Sequence, residues 1–350
     1  ATAIIGGILS LFMIFIGAVG LYPLLQFLGT PSAIVSQSYL YIATIVNGVA
    51  VTFAYNLCAG LLRAVGDSLA ALYFLIIAAI LNILLDLYFI TQLHLGVQSA
   101  GIATIIAQGI SALLCLLYIR KKVPFLLPHR KDFVWEKELY QDLLSQGLAM
   151  GLMTSIVSIG TVILQSAINQ LGTTIISAQV AARRIMSFAV LPITAIASSI
   201  TTFISQNFGA EQFHRIKKGV TIANFLSWVW SVLVAALLFF TSPSLTSFIS
   251  GSTNPDLIAN ASLYLQISSC FYPILASLII LRNALQGMGK KLTPLTSSFI
   301  ELFGKIFFIL WIIPHTGYMG VILCEPLIWI PMTLQLIIIY RKIRCQLLTE

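Results

Sequence analysis

Runs of about 20 mostly apolar residues recur from one end of this chain to the other, parted by short polar or glycine-containing stretches. They predict ten spanning helices, at roughly 3–27, 38–62, 69–91, 97–119, 143–169, 178–205, 217–241, 260–285, 293–313 and 318–340. Each is long enough to cross a hydrocarbon core of roughly 30 Å. None alternates apolar and polar positions with period two, which excludes a membrane β-barrel. The pattern predicts an all-α polytopic membrane protein.

Charge sets the orientation. Of 19 Lys and Arg residues, all but Arg183, Arg184, Arg282 and Lys305 lie in connections or at helix ends. The basic connections are 63–68, 120–142, 206–218 and 286–292, with the tail 341–344, and the intervening ones carry no Lys or Arg. That alternation is the positive-inside bias, so a multi-pass protein of the cell membrane with a cytoplasmic C-terminus is expected. It also accounts for the net charge of +8 without a nucleic-acid partner.

The chain repeats itself. LLRAVGDSLAALYF at 61–74 parallels ALQGMGKKLTPLTS at 284–297, so the repeat interval is the one that carries Leu61 onto Ala284. An even number of helices separates the copies, so the repeats are parallel, related about an axis normal to the membrane. Residues 1–119 form an N-terminal lobe of four helices, 120–142 a charged cytoplasmic linker, and 143–350 a C-terminal lobe of six. Equal copies would require two more helices before Ala1, and the chain begins without Met, so a piece of a twelve-helix protein is expected.

Polar residues inside the apolar runs carry the candidate chemistry. Asn82 and Asp86 lie four residues apart on one helix face. They sit about 8–14 Å from the outer end of their helix, and Thr104 lies about 11 Å from the same side on the next. Oxygen donors at matching depth suit a hard cation such as Na⁺, or a proton held on Asp86. The alternative is a structural role for Asp86, as a hydrogen-bond partner between helices. Moved by one repeat interval, Asp86 falls at Ile309, so this cluster is expected in one lobe only.

Glu301 and Lys305 are placed to pair at i, i+4, with Glu325 beside them or near Arg282. One of Arg183 and Arg184 is expected to snorkel outward and the other to meet backbone carbonyls. Gly66-Asp67 and Gly287/Gly289 mark tight turns. Pro192, Pro273, Pro294, Pro326 and Pro331 mark kinks. His94, His129, His214 and His315 lie in connections, and Cys58, Cys115, Cys270, Cys324 and Cys345 are scattered without a CxxC pair. No HExxH, GxSxG or nucleotide-binding glycine pattern is present, and no cofactor or enzyme activity is expected.

Taken together, RAVGDS (63–68), NILLD (82–86), GVxSAGIAT (96–104), QNFGAEQFHRIKKG (206–219) and ALQGMGKKLTP (284–294) resemble the multidrug and toxic compound extrusion (MATE) family over nearly the whole chain. The resemblance implies two six-helix lobes in a V around a central cavity. It also implies export of organic cations and other amphipathic compounds by alternating access, driven by Na⁺ or H⁺. In the family's N-lobe coupling site, an Asn, an Asp and a Thr match Asn82, Asp86 and Thr104. A further Asp would belong to a helix preceding this chain. Tyr41 and Asn56 match the N-lobe polar network less closely. Helices 143–169 and 260–285 contain no acid, unlike members with essential acids there.

A cation-coupled antiporter is therefore expected, monomeric and in contact with membrane lipids. Its substrates would be small amphipathic or cationic molecules, with Gln165, Gln266 and Glu301 as cavity contacts. Two rivals remain. A lipid-linked oligosaccharide flippase would need a strongly cationic cavity, for which only Arg183, Arg184, Arg282 and Lys305 are available. A membrane-embedded enzyme or scaffold finds no supporting motif.

Overall fold

The computed structural model describes residues 1–27, 32–128 and 136–349. Expectations for 28–31 and 129–135, with His129, Arg130 and Lys131 among them, lie outside the described residues, as do the side chains of Arg344 and Cys345. Among the described residues the ordered elements are all helical.

The helices are α1 (Thr2–Phe27), α2 (Ser32–Asn47), α3 (Val49–Ala64), α4 (Ser68–Thr91), α5 (Gln98–Lys122), α6 (Lys137–Asn169), α7 (Thr173–Gly209) and α8 (Phe213–Ser250). They continue with α9 (Pro255–Cys270), α10 (Tyr272–Gly287), α11 (Leu292–Phe307), α12 (Ile313–Thr316) and α13 (Tyr318–Thr349). A short π-helical stretch, Phe308–Ile312, joins α11 to α12. Eight helical segments are long and apolar enough to cross a membrane, and up to ten crossings result when each of two bent pairs counts as one. These match the ten expected runs one for one. The main difference is length: α7 and α8 have 37 and 38 residues, more than the roughly 20 a bilayer core requires. Residues 242–250, expected in a connection, are helical and continue α8 through Pro243.

Two expected spans are bent. Val35–Asn47 meets Val49–Ala64 at 45°, and Pro255–Cys270 meets Tyr272–Gly287 at 58°. The first break falls at Gly48 and the second at Phe271, one repeat interval further on. Each has a local cause. A Cβ on Gly48 would press into the Ile105 side chain, so glycine at the break lets α5 pack closely there. Pro273 opens the first turn of α10, where its missing N–H is tolerated, but it cannot continue a preceding helix. Gly66 (φ 90°) and Gly289 (φ 73°), separated by the same interval, take the left-handed turns that follow each bent pair. The repeat legible in the letters is thus repeated in the backbone.

The chain divides into two compact units, Ala1–Leu144 and Ser145–Glu350. In the first, Asp67 caps α4 by accepting from the Ala70 N–H at 3.1 Å, and it also accepts from the Tyr118 hydroxyl at 2.8 Å. One carboxylate thereby starts α4 and ties it to α5. Tyr55, Ala59, Leu62, Cys115 and Ile119 pack together in the core of this unit. The second unit has a larger core, in which Tyr264, Tyr272, Leu265 and Ile280 are wholly buried. Outward-facing Leu, Ile and Phe side chains, Phe240 and Phe248 among the most exposed, form the surface a bilayer would cover. Cys58, Cys115, Cys270 and Cys324 are free thiols.

Candidate functional site

In the first unit, Asn82 on α4 donates from Nδ2 to the Thr104 hydroxyl on α5 at 3.2 Å. Thr104 donates in turn to its own helix, at the Ala100 carbonyl, 2.9 Å away. Gly101 lets α2 approach α5 beside this bond: its Cα faces Thr44 and the Tyr41 carbonyl so closely that a Cβ would lie 3.2 Å from Thr44. Asp86 lies one turn along α4 from Asn82. Its Oδ1 is buried and has no hydrogen-bond partner. An unpartnered carboxylate oxygen in a membrane helix is costly, and a bound cation or proton would satisfy it. Neutral amide and hydroxyl oxygens beside one carboxylate are the donor set that a hard monovalent cation takes.

The expected polar network is only partly assembled by direct contact. Asn82 and Thr104 meet. Asn56 is exposed and donates back to the Thr52 carbonyl on its own helix at 2.9 Å. Tyr41 contributes its backbone carbonyl to the packing against Gly101. A further link was not expected: the Thr52 hydroxyl on α3 donates to Gln108 Oε1 on α5 at 2.5 Å. Gln108 is one turn beyond Thr104, so the two form one polar face of α5 against two neighbouring helices. The i, i+4 spacing of Thr104 and Gln108 was the available signal.

The second unit has its own charged centre. Arg183 pairs with Glu325 at 3.0 Å, and Lys305 lies 3.4 Å from Glu325 and 2.9 Å from Glu301. Lys305 is 1% exposed, its ammonium also faces the Thr161 hydroxyl at 3.5 Å, and its stem lies against Gly160. The Tyr264 hydroxyl stands 3.5 Å from Glu325. Arg183, expected to snorkel or to meet carbonyls, pairs with a carboxylate instead, because α13 brings Glu325 to its depth. Glu325 sits with Lys305, as one of the two readings had it. A cavity of about 360 Å³ opens beside the cluster, lined by Arg183, Arg282, Glu301, Glu325, Met186 and Trp329, among others. Gln165 and Gln266 are not among its lining residues. Gln165 bonds Asn169 on its own helix at 2.9 Å, and Gln266 ties α9 to the Phe239 carbonyl on α8 at 3.1 Å.

A family model described as MatE matches residues 1–88 and 149–311. The chain belongs to the MATE transporter family. The two matched stretches end one repeat interval apart, as the two bends do. MATE relatives include the probable multidrug resistance proteins YpnP and YoeA of Bacillus subtilis (strain 168). The first is 29% identical over 79% of this chain and 62% of its own length, and the second is 23% identical over 88% and 68%. The chain thus spans less than two thirds of the YpnP relative. In fold it is similar to an outward-facing multidrug resistance MATE transporter of the MOP superfamily, with a TM-score of 0.91 at 19% identity, covering 99% of this chain and 78% of that one. This MATE chain is a multi-span membrane protein of a transporter family and not an enzyme.

Proposed function

We propose that the whole protein is a secondary antiporter that exports amphipathic compounds in exchange for Na⁺ or H⁺, coupled through Asp86. The observation that carries this reading is the buried, unpartnered Oδ1 of Asp86 one turn from the Asn82–Thr104 bond. A cation or proton there would remove the charge penalty and so favour whichever state of the first unit holds it more tightly. Asn82 and Thr104 would supply neutral oxygens, and Asp86 the charge. The alternation of basic connections supports a cytoplasmic C-terminus. The flippase alternative finds less support, since Arg183 and Lys305 are matched by Glu325 and Glu301, and Arg282 alone does not make a strongly cationic cavity.

In cells expressing the full-length protein, Asp86→Asn is expected to reach the membrane in normal amount and to lower ethidium efflux to the level of cells without the transporter. Efflux at the unsubstituted rate contradicts the coupling role.

A further inference from the structure

The charged cluster of the second unit is not balanced, although the cavity wall itself sets Arg183 and Arg282 against Glu301 and Glu325. Arg183, Arg282 and Lys305 contribute three positive charges, and Glu301 and Glu325 two negative ones. Both carboxylates are already engaged: Glu325 by Arg183 and Lys305, and Glu301 by Lys305. Arg282 is left without a direct ion pair, with the Glu301 charge in electrostatic reach. Among the described residues no carboxylate lies within ion-pair distance of it, and its bond is to a neutral hydroxyl, Ser297 Oγ, at 2.8 Å. Its Nε is buried without an acceptor, and so is the Nε of Arg183, on the same cavity wall. Two guanidinium groups line one space, and a guanidinium is shaped for the oxygens of a carboxylate, sulfonate or phosphate. The remaining wall is mostly apolar, with Leu191, Leu275, Leu278 and Trp329, and also carries Ser187 and Thr194. A volume near 360 Å³ lies within the range of small-molecule sites.

We propose that this cavity binds amphipathic anions, whose acidic group is held by the Arg282 guanidinium while the apolar body lies against Trp329 and the leucines. The site is separate from the Asp86 region, which lies in the other unit. The proposal rests on the efflux reading only in treating the bound anion as cargo, and equilibrium binding is independent of transport.

Two dyes with the same ring system and opposite charge separate charge recognition from apolar burial: fluorescein, an anion, and rhodamine 6G, a cation. Their anisotropy is followed with the full-length protein in nanodiscs of neutral lipid, with empty nanodiscs subtracted. Fluorescein is expected to bind, with affinity lowered about tenfold or more by Arg282→Gln and partly restored by Arg282→Lys. Rhodamine 6G affinity should change by less than about threefold in Arg282→Gln, since charge on the wall is not what holds it. Unchanged fluorescein binding in Arg282→Gln, or no fluorescein binding by the unsubstituted protein, overturns the proposal. Should Arg282→Gln fail to fold, sulfate competition on the unsubstituted protein decides: displacement of fluorescein but not of rhodamine 6G supports the site, and displacement of neither overturns it. A loss of the coupling role at Asp86 would leave each of these outcomes intact.

Discussion

Asn82 and Lys305 occupy the same place in the two copies of the repeat. The interval between them is the one that separates the bends at Gly48 and Phe271 and the turns at Gly66 and Gly289. Each reaches to the neighbouring helix: Asn82 to Thr104 on α5, and Lys305 to Glu325 on α13. The repeat thus builds a polar contact at one helix pair in both units. One is a neutral amide–hydroxyl bond beside a single acid, and the other is a network of charges. The acid of the first unit is not repeated, and the Glu301–Lys305 pair is the one expected from their i, i+4 spacing. Ile309 does stand where Asp86 would repeat, but Lys305 stands where Asn82 does.

The Asn82–Thr104 bond should matter to ion affinity more than to folding. Thr104→Val removes the hydroxyl and keeps the shape. It is expected to raise the Na⁺ or H⁺ concentration for half-maximal efflux by roughly threefold to tenfold, the worth of one hydrogen-bonding oxygen. Thr104→Ser should restore it. The check is a concentration series of the coupling ion in vesicles.

The charged network of the second unit should behave as a unit. Glu325→Gln leaves Arg183 and Lys305 without their shared carboxylate, and loss of one partner from a buried pair costs about 3–5 kcal/mol. Glu325→Gln with Lys305→Met should therefore be less destabilising than the sum of the two single changes. Thermal unfolding of the four proteins in the same detergent measures the coupling, and additive shifts contradict the network.

Close packing at Gly287 gives a test of the fold itself. A Cβ there would lie 2.8 Å from the Thr201 backbone carbonyl, which cannot rotate away as a side chain can. Gly287→Ala is expected to cost about 1–3 kcal/mol. Gly209→Ala, with nothing within 4 Å of the added carbon, should not destabilise. Paired melting curves of the two variants decide the point.

The basic connections predict orientation. A fluorescent protein fused after Glu350 is expected to fluoresce, and an alkaline phosphatase fused there to be inactive, as for a cytoplasmic end. The opposite pair of results contradicts the assigned topology.

The fold was largely legible because hydrophobic runs of bilayer length leave few alternatives, and because the repeat shows in the letters around Gly66 and Gly289. The bend at Phe271 was less so: Pro273 marked a kink, but not that one expected span would become two helices. The long helices α7 and α8 hid their true ends because past the apolar run nothing stops them until Gly209 and Gly251. At the candidate sites, Asn82 and Thr104 were legible from depth. The Arg183–Glu325 pair was not, since it joins positions 142 apart on helices whose rotation no sequence pattern sets. Gln108 was missed because an amide in an apolar run resembles any tolerated polar residue until Thr52 is seen against it.

The coupling role of Asp86 is tested most directly by what drives export. Full-length protein in proteoliposomes is given an imposed Na⁺ gradient or an imposed pH gradient separately, and uphill ethidium movement is followed for the unsubstituted protein and for Asp86→Asn. One of the gradients is expected to drive ethidium against its own gradient in the unsubstituted protein, and neither to do so in Asp86→Asn. Uphill movement at equal rates in both proteins would contradict coupling through Asp86.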